Sequence, residues 1–288
     1  MSAPKVHHYV PAAYLRRFTD DDGYLWIYDS KRKEVRRQKP EQVMRIGRYY
    51  RQAWAPEGID PDIIEKSVAV GLEPDGLAAI ERLCNSPEQI TGDEAANLVA
   101  YLEFQRIRVP RQAAWGCELM RQHLLATIGP KVRADLAKNK LTVTMKDSAR
   151  FDYMRAALGT IHPWMERMAW EVVEAAPGSA FITTDSPVSF VNPAFLQPAE
   201  AGIGLAGTLV LFPLSSRKLL FMTHPECKSL DPGAALPRPT EGNGGVPMSF
   251  GDVFDAQKVA KTNWHMAHLA HHLCVAENQF ALAAAISI

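Results

Sequence analysis

The chain has 288 residues, of which 47% are hydrophobic and 22% charged, and its 32 Lys and Arg balance 32 Asp and Glu. This is ordinary globular usage with enough length for a sizeable core. It excludes a protein that coats nucleic acid through bulk positive charge, and no apolar run approaches the roughly 20 residues of a membrane span. The four cysteines, Cys84, Cys117, Cys227 and Cys274, have no CxxC spacing, so neither a zinc knuckle nor a disulfide framework is indicated. Met1 to His8 lacks a signal-peptide core, and the expected location is the cytoplasm with no membrane partner.

In chain order, His7-His8-Tyr9-Val10-Pro11 leads into Ala13-Tyr14-Leu15-Arg16-Arg17-Phe18, which reads as a short amphipathic helix with Pro11 at its start. His7 and His8 are then expected at the helix mouth, where unpaired N–H groups favour anions. Asp20-Asp21-Asp22-Gly23 signals a turn, and Tyr24 to Tyr28 and Glu34 to Gln38 read as a strand pair, with Arg48-Tyr49-Tyr50 as a further short strand. From Lys31 to Arg51 there are nine Lys or Arg against Glu34 and Glu41, a local excess of seven positive charges. With Tyr49 and Tyr50 interleaved, this run suits phosphate contact and base stacking, and nucleic acid is the partner it points to. A solvated hairpin face is the plainer reading.

Between Pro61 and Asn85 apolar residues recur at three and four, with Pro74 expected to split the run. Thr91 and Glu94 form a capping box that starts a helix running to about Arg108 before Pro110. On it, Leu98, Tyr101, Leu102, Gln105 and Arg108 share one face, so Gln105 and Arg108 should point inward while Arg106 and Arg111 are solvated. Helices are expected over 111–128 and 149–168, with an exposed helical segment over 131–140. Strands are expected at 170–175, 181–184, 208–212 and 219–222, the last two joined as a hairpin through Pro213 to Lys218. Asp231 to Pro247 reads as a long loop with the composition of a lid, and 255–275 as the last helix. With no internal repeat, the fold class is α+β: a single domain with an antiparallel, hairpin-rich sheet against a mostly central helical layer. Its parts are a signature and basic hairpin over 1–51, helices over 61–168, and sheet with C-terminal helix over 169–288.

His8-Tyr9-Val10-Pro11 with Tyr14-Leu15-Arg16-Arg17-Phe18, Gln105-x-x-Arg108-x-Pro110, Thr183-Thr184-Asp185-Ser186-Pro187 and Pro213-Leu214-Ser215 together resemble the DUF4238 family, a bacterial domain of unknown function. Val109 stands where threonine is usual, Ser186 replaces an asparagine, and Ser216 follows where proline is common. The resemblance also implies that Asn263 opens the last helix. It supplies a shared domain and no reaction.

From these residues the leading expectation is a hydrolase acting on nucleic acid or another phosphate-bearing substrate, cleaving a phosphodiester or N-glycosidic bond. His8 would act as general acid or base and Asp185 would orient water, with Gln105, Arg108, Tyr9, Arg17 and Asn263 holding substrate. The alternatives are structural. His8 would cap a helix or bond within the core, Asp185 would shape an Asx-turn, and Arg108 would pair with a carboxylate such as Asp185 or Glu65. A noncatalytic binding module for nucleic acid or protein follows from that reading. A third expectation is a divalent metal held by His265, His268 and His272, spaced at three and four.

Overall fold

The computed structural model describes residues 6–52, 54–194, 200–224 and 248–286. The expected lid loop at Asp231 to Pro247, like Cys227, lies outside the described residues. The elements run β1 (Val6–His8), α1 (Ala12–Leu15), β2 (Leu25–Asp29), β3 (Glu34–Gln38), β4 (Arg45–Gly47), α2 (Ile63–Ser67), α3 (Glu73–Asn85), α4 (Gly92–Ile107), α5 (Pro110–Thr127), α6 (Pro130–Ala137), α7 (Ala149–Ala157) and α8 (His162–Met165). Then follow β5 (Ala169–Ala175), β6 (Thr183–Thr184), β7 (Ser189–Val191), β8 (Leu209–Pro213), β9 (Lys218–Thr223), β10 (Met248–Phe254), α9 (Ala256–Leu269), β11 (Leu273–Ala276) and α10 (Gln279–Ile286).

The fold is α+β, built on a five-stranded sheet in the order β10-β5-β9-β8-β7. Neighbours in that sheet are antiparallel except β10, which runs parallel to β5. Both faces are covered. Trp170, Val172, Val210, Phe212, Leu220 and Met222 join a core with Ile80, Leu83, Leu98 and Leu102 of α3 and α4, whereas Val173, Leu211 and Leu219 join Met266, Leu269 and Leu282 of α9 and α10. Two-sided burial explains why the central strands β8 and β9 read as nearly continuous apolar runs, whereas β5 alternates with Glu171 and Glu174.

A second sheet, β3-β2-β11-β6, brings the N-terminal hairpin together with the C-terminal part of the chain, so sheet structure is not confined to the second half. β1 and β4 form a separate antiparallel ribbon. No helix among the described residues is long and apolar enough to cross a membrane.

Several boundaries differ from the sequence expectations for local reasons. Pro74 falls in the first turn of α3, and a π-helical stretch at Val68–Leu72 carries the chain into it, so the run is not split there. The helix expected over 149–168 is interrupted at Gly159, which has φ +80°. Arg48, at φ +53°, ends β4, so Tyr49 and Tyr50 are not a strand. The expected last helix stops at Leu269 and the chain re-enters the second sheet as β11, leaving α10 as the last helix.

α3 and α4 approach closely at Gly76, where an added Cβ would overlap the Tyr101 ring. Gly76→Ala should therefore lower unfolding free energy by about 1–3 kcal/mol, measured by denaturant titration, as overpacking does in a filled core. An unchanged midpoint would show that α3 and α4 can separate freely.

Candidate functional site

The signature folds as a strand followed by a turn. His7 and His8 belong to β1 and not to a helix mouth, and α1 is a four-residue helix. His7 is buried; its Nδ1 accepts from the Tyr50 N–H at 2.9 Å and its ring stacks on Tyr50 with centroids 5.7 Å apart. His8 is half-buried, with Nε2 donating to the Glu41 carbonyl at 3.2 Å, and burial lowers its pKa. Tyr14 donates its hydroxyl to the Pro213 carbonyl at 2.8 Å and takes the Thr183 hydroxyl at 2.9 Å, which ties the first helix to the Thr-Thr-Asp and Pro-Leu-Ser segments.

Gln105 and Arg108 do point inward and are fully buried. Gln105 Nε2 donates to the Tyr9 carbonyl at 2.9 Å, and its Oε1 accepts from Arg108 Nε at 2.9 Å. Arg108 Nη1 pairs with Glu73 at 2.7 Å, so its carboxylate partner is Glu73 and not Asp185 or Glu65. Tyr49 donates its hydroxyl to the Arg108 carbonyl at 2.9 Å. These side chains fasten the Tyr9 turn to α4, and their donors and acceptors are taken.

The other proposed substrate groups are similarly occupied. Arg17 pairs with Glu81. Asn263 lies within α9 rather than opening a helix, and it clamps the strand before Asp185 by donating to the Ala180 carbonyl at 2.9 Å and accepting from the Ile182 N–H at 3.1 Å. Arg106, expected in solvent, is buried against Glu200 at 2.7 Å and the Val188 carbonyl at 3.1 Å. Arg111, also expected in solvent, is part-buried and donates to the Leu269 and Ala270 carbonyls. Apolar neighbours and backbone acceptors outweigh helical phase at both positions.

Asp185 is the junction of the site. Its Oδ1 accepts from the His271 N–H at 2.7 Å, and its Oδ2 accepts from His272 at 2.8 Å and Leu273 at 3.0 Å. Burial pushes its pKa above the ordinary carboxylate range, against the pull of those backbone donors. The sharp turn between α9 and β11 is thereby held, and Ser30 N–H fixes it from the other side through the His272 carbonyl at 2.9 Å.

That turn forms one wall of a cleft of about 620 Å³ lined by Tyr9, Asp29, Lys31, Arg32, Arg36, Asp185, His271 and His272 among others. The two imidazoles face each other with centroids 3.9 Å apart. Burial, His272, Arg111 and Lys31 all lower the pKa of His271, which is therefore neutral at pH 7. Arg36 pairs with Asp29 at 3.0 Å, while Asp29 spends its other oxygen on the Lys31 and Arg32 N–H groups at 3.1 Å each. Lys31 is exposed at the mouth, with no ion pair among the described residues.

Of the sequence-predicted set, Tyr9, Asp185 and His272 line this cleft; His8, Gln105, Arg108, Arg17, Asn263, His265 and His268 do not. The basic run is partly neutralised, since Arg32 and Arg36 pair with Glu34, Arg37 with Asp20 and Asp22, and Arg51 with Asp62. Tyr49 and Tyr50 are buried and offer no face for base stacking. For the expected metal ligands, α9 ends before His272, so helical spacing no longer aligns it with His265 and His268. His268 Nδ1 meets the Trp264 carbonyl at 2.9 Å, and among the described residues no three His, Cys, Asp or Glu gather where they could hold a metal ion. His271 is absent from the sequence-derived set because on a helix continued to 275 it falls off the stripe of His265, His268 and His272; Leu273-Cys274-Val275-Ala276, apolar and strand-like, is the signal that ends that helix early.

The family model described as "Protein of unknown function (DUF4238)" matches residues 6–279. The chain belongs to the DUF4238 family. The match takes in all four signature segments and every residue of the cleft named above. Comparison of this DUF4238 chain with curated proteins and with solved structures finds no match.

Asp185→Ala would leave three backbone N–H groups without their acceptor, and should cost at least about 3 kcal/mol of stability by denaturant unfolding. His8→Ala, which removes one bond at a half-exposed strand, should cost no more than about 1 kcal/mol. Equal losses would contradict the clamp.

Proposed function

We propose that this DUF4238 chain binds a phosphate-bearing ligand of the nucleic-acid class in the cleft between the β2–β3 hairpin and the α9–β11 turn, and hydrolyses its phosphodiester bond. The observation that carries the reading is the convergence of Lys31, Arg32, Arg36, His271 and His272 on one solvent-reached cleft whose two carboxylates, Asp29 and Asp185, are turned to backbone N–H groups. Cations at the mouth suit the phosphate and the charge that grows on it in the transition state. A neutral His271 suits removal of a proton from the attacking hydroxyl or water, and the adjacent His272 suits return of a proton to the leaving oxygen. Asp185 acts through the backbone, as a positioning residue.

The binding-module reading is favoured by the buried signature network, in which Gln105, Arg108 and Asn263 serve the fold. The two readings separate experimentally. Fluorescence polarisation with labelled single-stranded RNA and DNA should show salt-dependent binding, and Lys31→Ala should weaken it and reduce the salt slope by about one. His271→Ala keeps the N–H that Asp185 holds; it should retain binding and lose cleavage, while His8→Ala should cleave normally. Binding without cleavage in the parent protein would favour the module, and no binding at low salt would remove the cleft from consideration.

The pH profile has a definite sign. A lowered His271 pKa puts the acid limb of cleavage below 6.5, because the base is lost only on protonation. Lys31→Ala removes one cation that lowers it, so the limb should move to higher pH. A limb that ignores Lys31 would assign the proton transfer to another group.

A further inference from the structure

Both carboxylates that line the cationic cleft are buried and engaged at both oxygens. Asp29 gives one oxygen to the Lys31 and Arg32 N–H groups and the other to Arg36 Nη1 at 3.0 Å. Asp185 gives its two oxygens to the N–H groups of His271, His272 and Leu273. Proton transfer to a bound ligand therefore falls to the two imidazoles, which are partly exposed.

Those rings are consecutive in the chain, 3.9 Å apart between centroids and tilted by 37°. Asp185 holds both residues by the backbone, and among the described residues neither ring shares a hydrogen bond with another side chain, so their nitrogens are open to a ligand. At this separation a second positive charge is repelled by the first, so the pair favours one charged and one neutral ring. A base and an acid then stand side by side, close enough to serve two oxygens of one phosphorus. A free water gains little from such a base. A nucleophile carried by the substrate gains an effective concentration of roughly 10⁵–10⁸ M. In a nucleic acid that nucleophile is the 2′-hydroxyl, which RNA has and DNA lacks.

We infer, on the reading that this cleft binds a nucleic-acid phosphodiester, that its substrate is RNA and that cleavage begins as transesterification through the 2′-hydroxyl. His271 takes the 2′-hydroxyl proton as O2′ bonds to phosphorus. The P–O5′ bond breaks, and O5′ leaves with its electron pair and a proton from His272 as a 5′-hydroxyl. The other product ends in a 2′,3′-cyclic phosphate. Water then opens that ring with the roles exchanged: His272 takes a proton from water, the P–O2′ bond breaks, and His271 returns a proton to O2′. A 3′-phosphate results, and both imidazoles regain their starting states. Lys31 and Arg32 lie beside the charge that grows on the phosphate oxygens. DNA carries the same charge, so it binds without being cut.

The test uses the full-length protein with EDTA and three single-stranded oligonucleotides of one mixed sequence: RNA, 2′-O-methyl RNA and DNA. Only RNA should be cut, and mass spectrometry should find 5′-hydroxyl and 2′,3′-cyclic phosphate ends. His271→Ala and His272→Ala, purified identically, should each slow this at least about 100-fold. On a nucleoside 3′-(p-nitrophenyl) phosphate, whose leaving group needs no proton, His272→Ala should recover most of the parent rate while His271→Ala stays slow. Cutting of DNA or of 2′-O-methyl RNA, 5′-phosphate products, or loss of activity with EDTA would overturn RNA transesterification and leave phosphodiester hydrolysis standing. Binding of all three oligonucleotides with none cut would overturn both.

Discussion

A single buried carboxylate, Asp185, organises the part of the molecule where chemistry is available. It receives three consecutive backbone N–H groups, from His271, His272 and Leu273, while Arg111 takes the Leu269 and Ala270 carbonyls just before them. The abrupt passage from α9 into β11 thus has both its donors and its acceptors satisfied by side chains from elsewhere in the chain. Without those partners the half-buried backbone groups of the turn would go unpaired, which costs as much as lost hydrogen bonds. Its consequence is positional: the His271 and His272 rings stand beside Lys31 and Arg32 of the β2–β3 hairpin, at the edge where β2 and β11 pair.

The signature segments form a polar framework more than a reactive centre. Tyr14 joins Thr183 and Pro213; Gln105 joins Tyr9 and Arg108; Arg108 joins Glu73; Asn263 joins Ala180 and Ile182. Apart from the local Gln105–Arg108 contact, each bond spans segments distant in sequence, so the framework specifies which elements meet. Buried charge of this kind contributes little net stability compared with an apolar filling, but removing one partner strands the other. A strongly patterned set of polar residues can therefore mark fold specification, while neighbours that it positions, such as His271, line the cleft.

Local rules were legible in the sequence where local physics decides the outcome. The Thr91 and Glu94 capping box starts α4 with reciprocal side-chain and backbone bonds, the β2–β3 hairpin forms within a residue of the strands that aromatic and β-branched composition suggests, and Pro213 to Lys218 joins β8 and β9. The helical face of α4 correctly turned Gln105 and Arg108 inward. What failed depended on distant partners. Arg106 is buried because Glu200 and the Val188 carbonyl reach it, and Tyr49 and Tyr50 are buried because His7 and α4 cover them. His8 and Asp185 share a family signature and not a cleft, and a helix drawn six residues too long groups His272 with His265 and His268 instead of with His271.

The central claim is that ligand meets His271 and His272 and not His8. The most direct measurement is a histidine-ring NMR titration of the intact protein with a short single-stranded oligonucleotide, with His8→Gln, His271→Gln and His272→Gln used to assign the signals. The His271 and His272 ring resonances should move together and saturate, while those of His8 stay in place. Movement of the His8 resonance with the other two unchanged would contradict it.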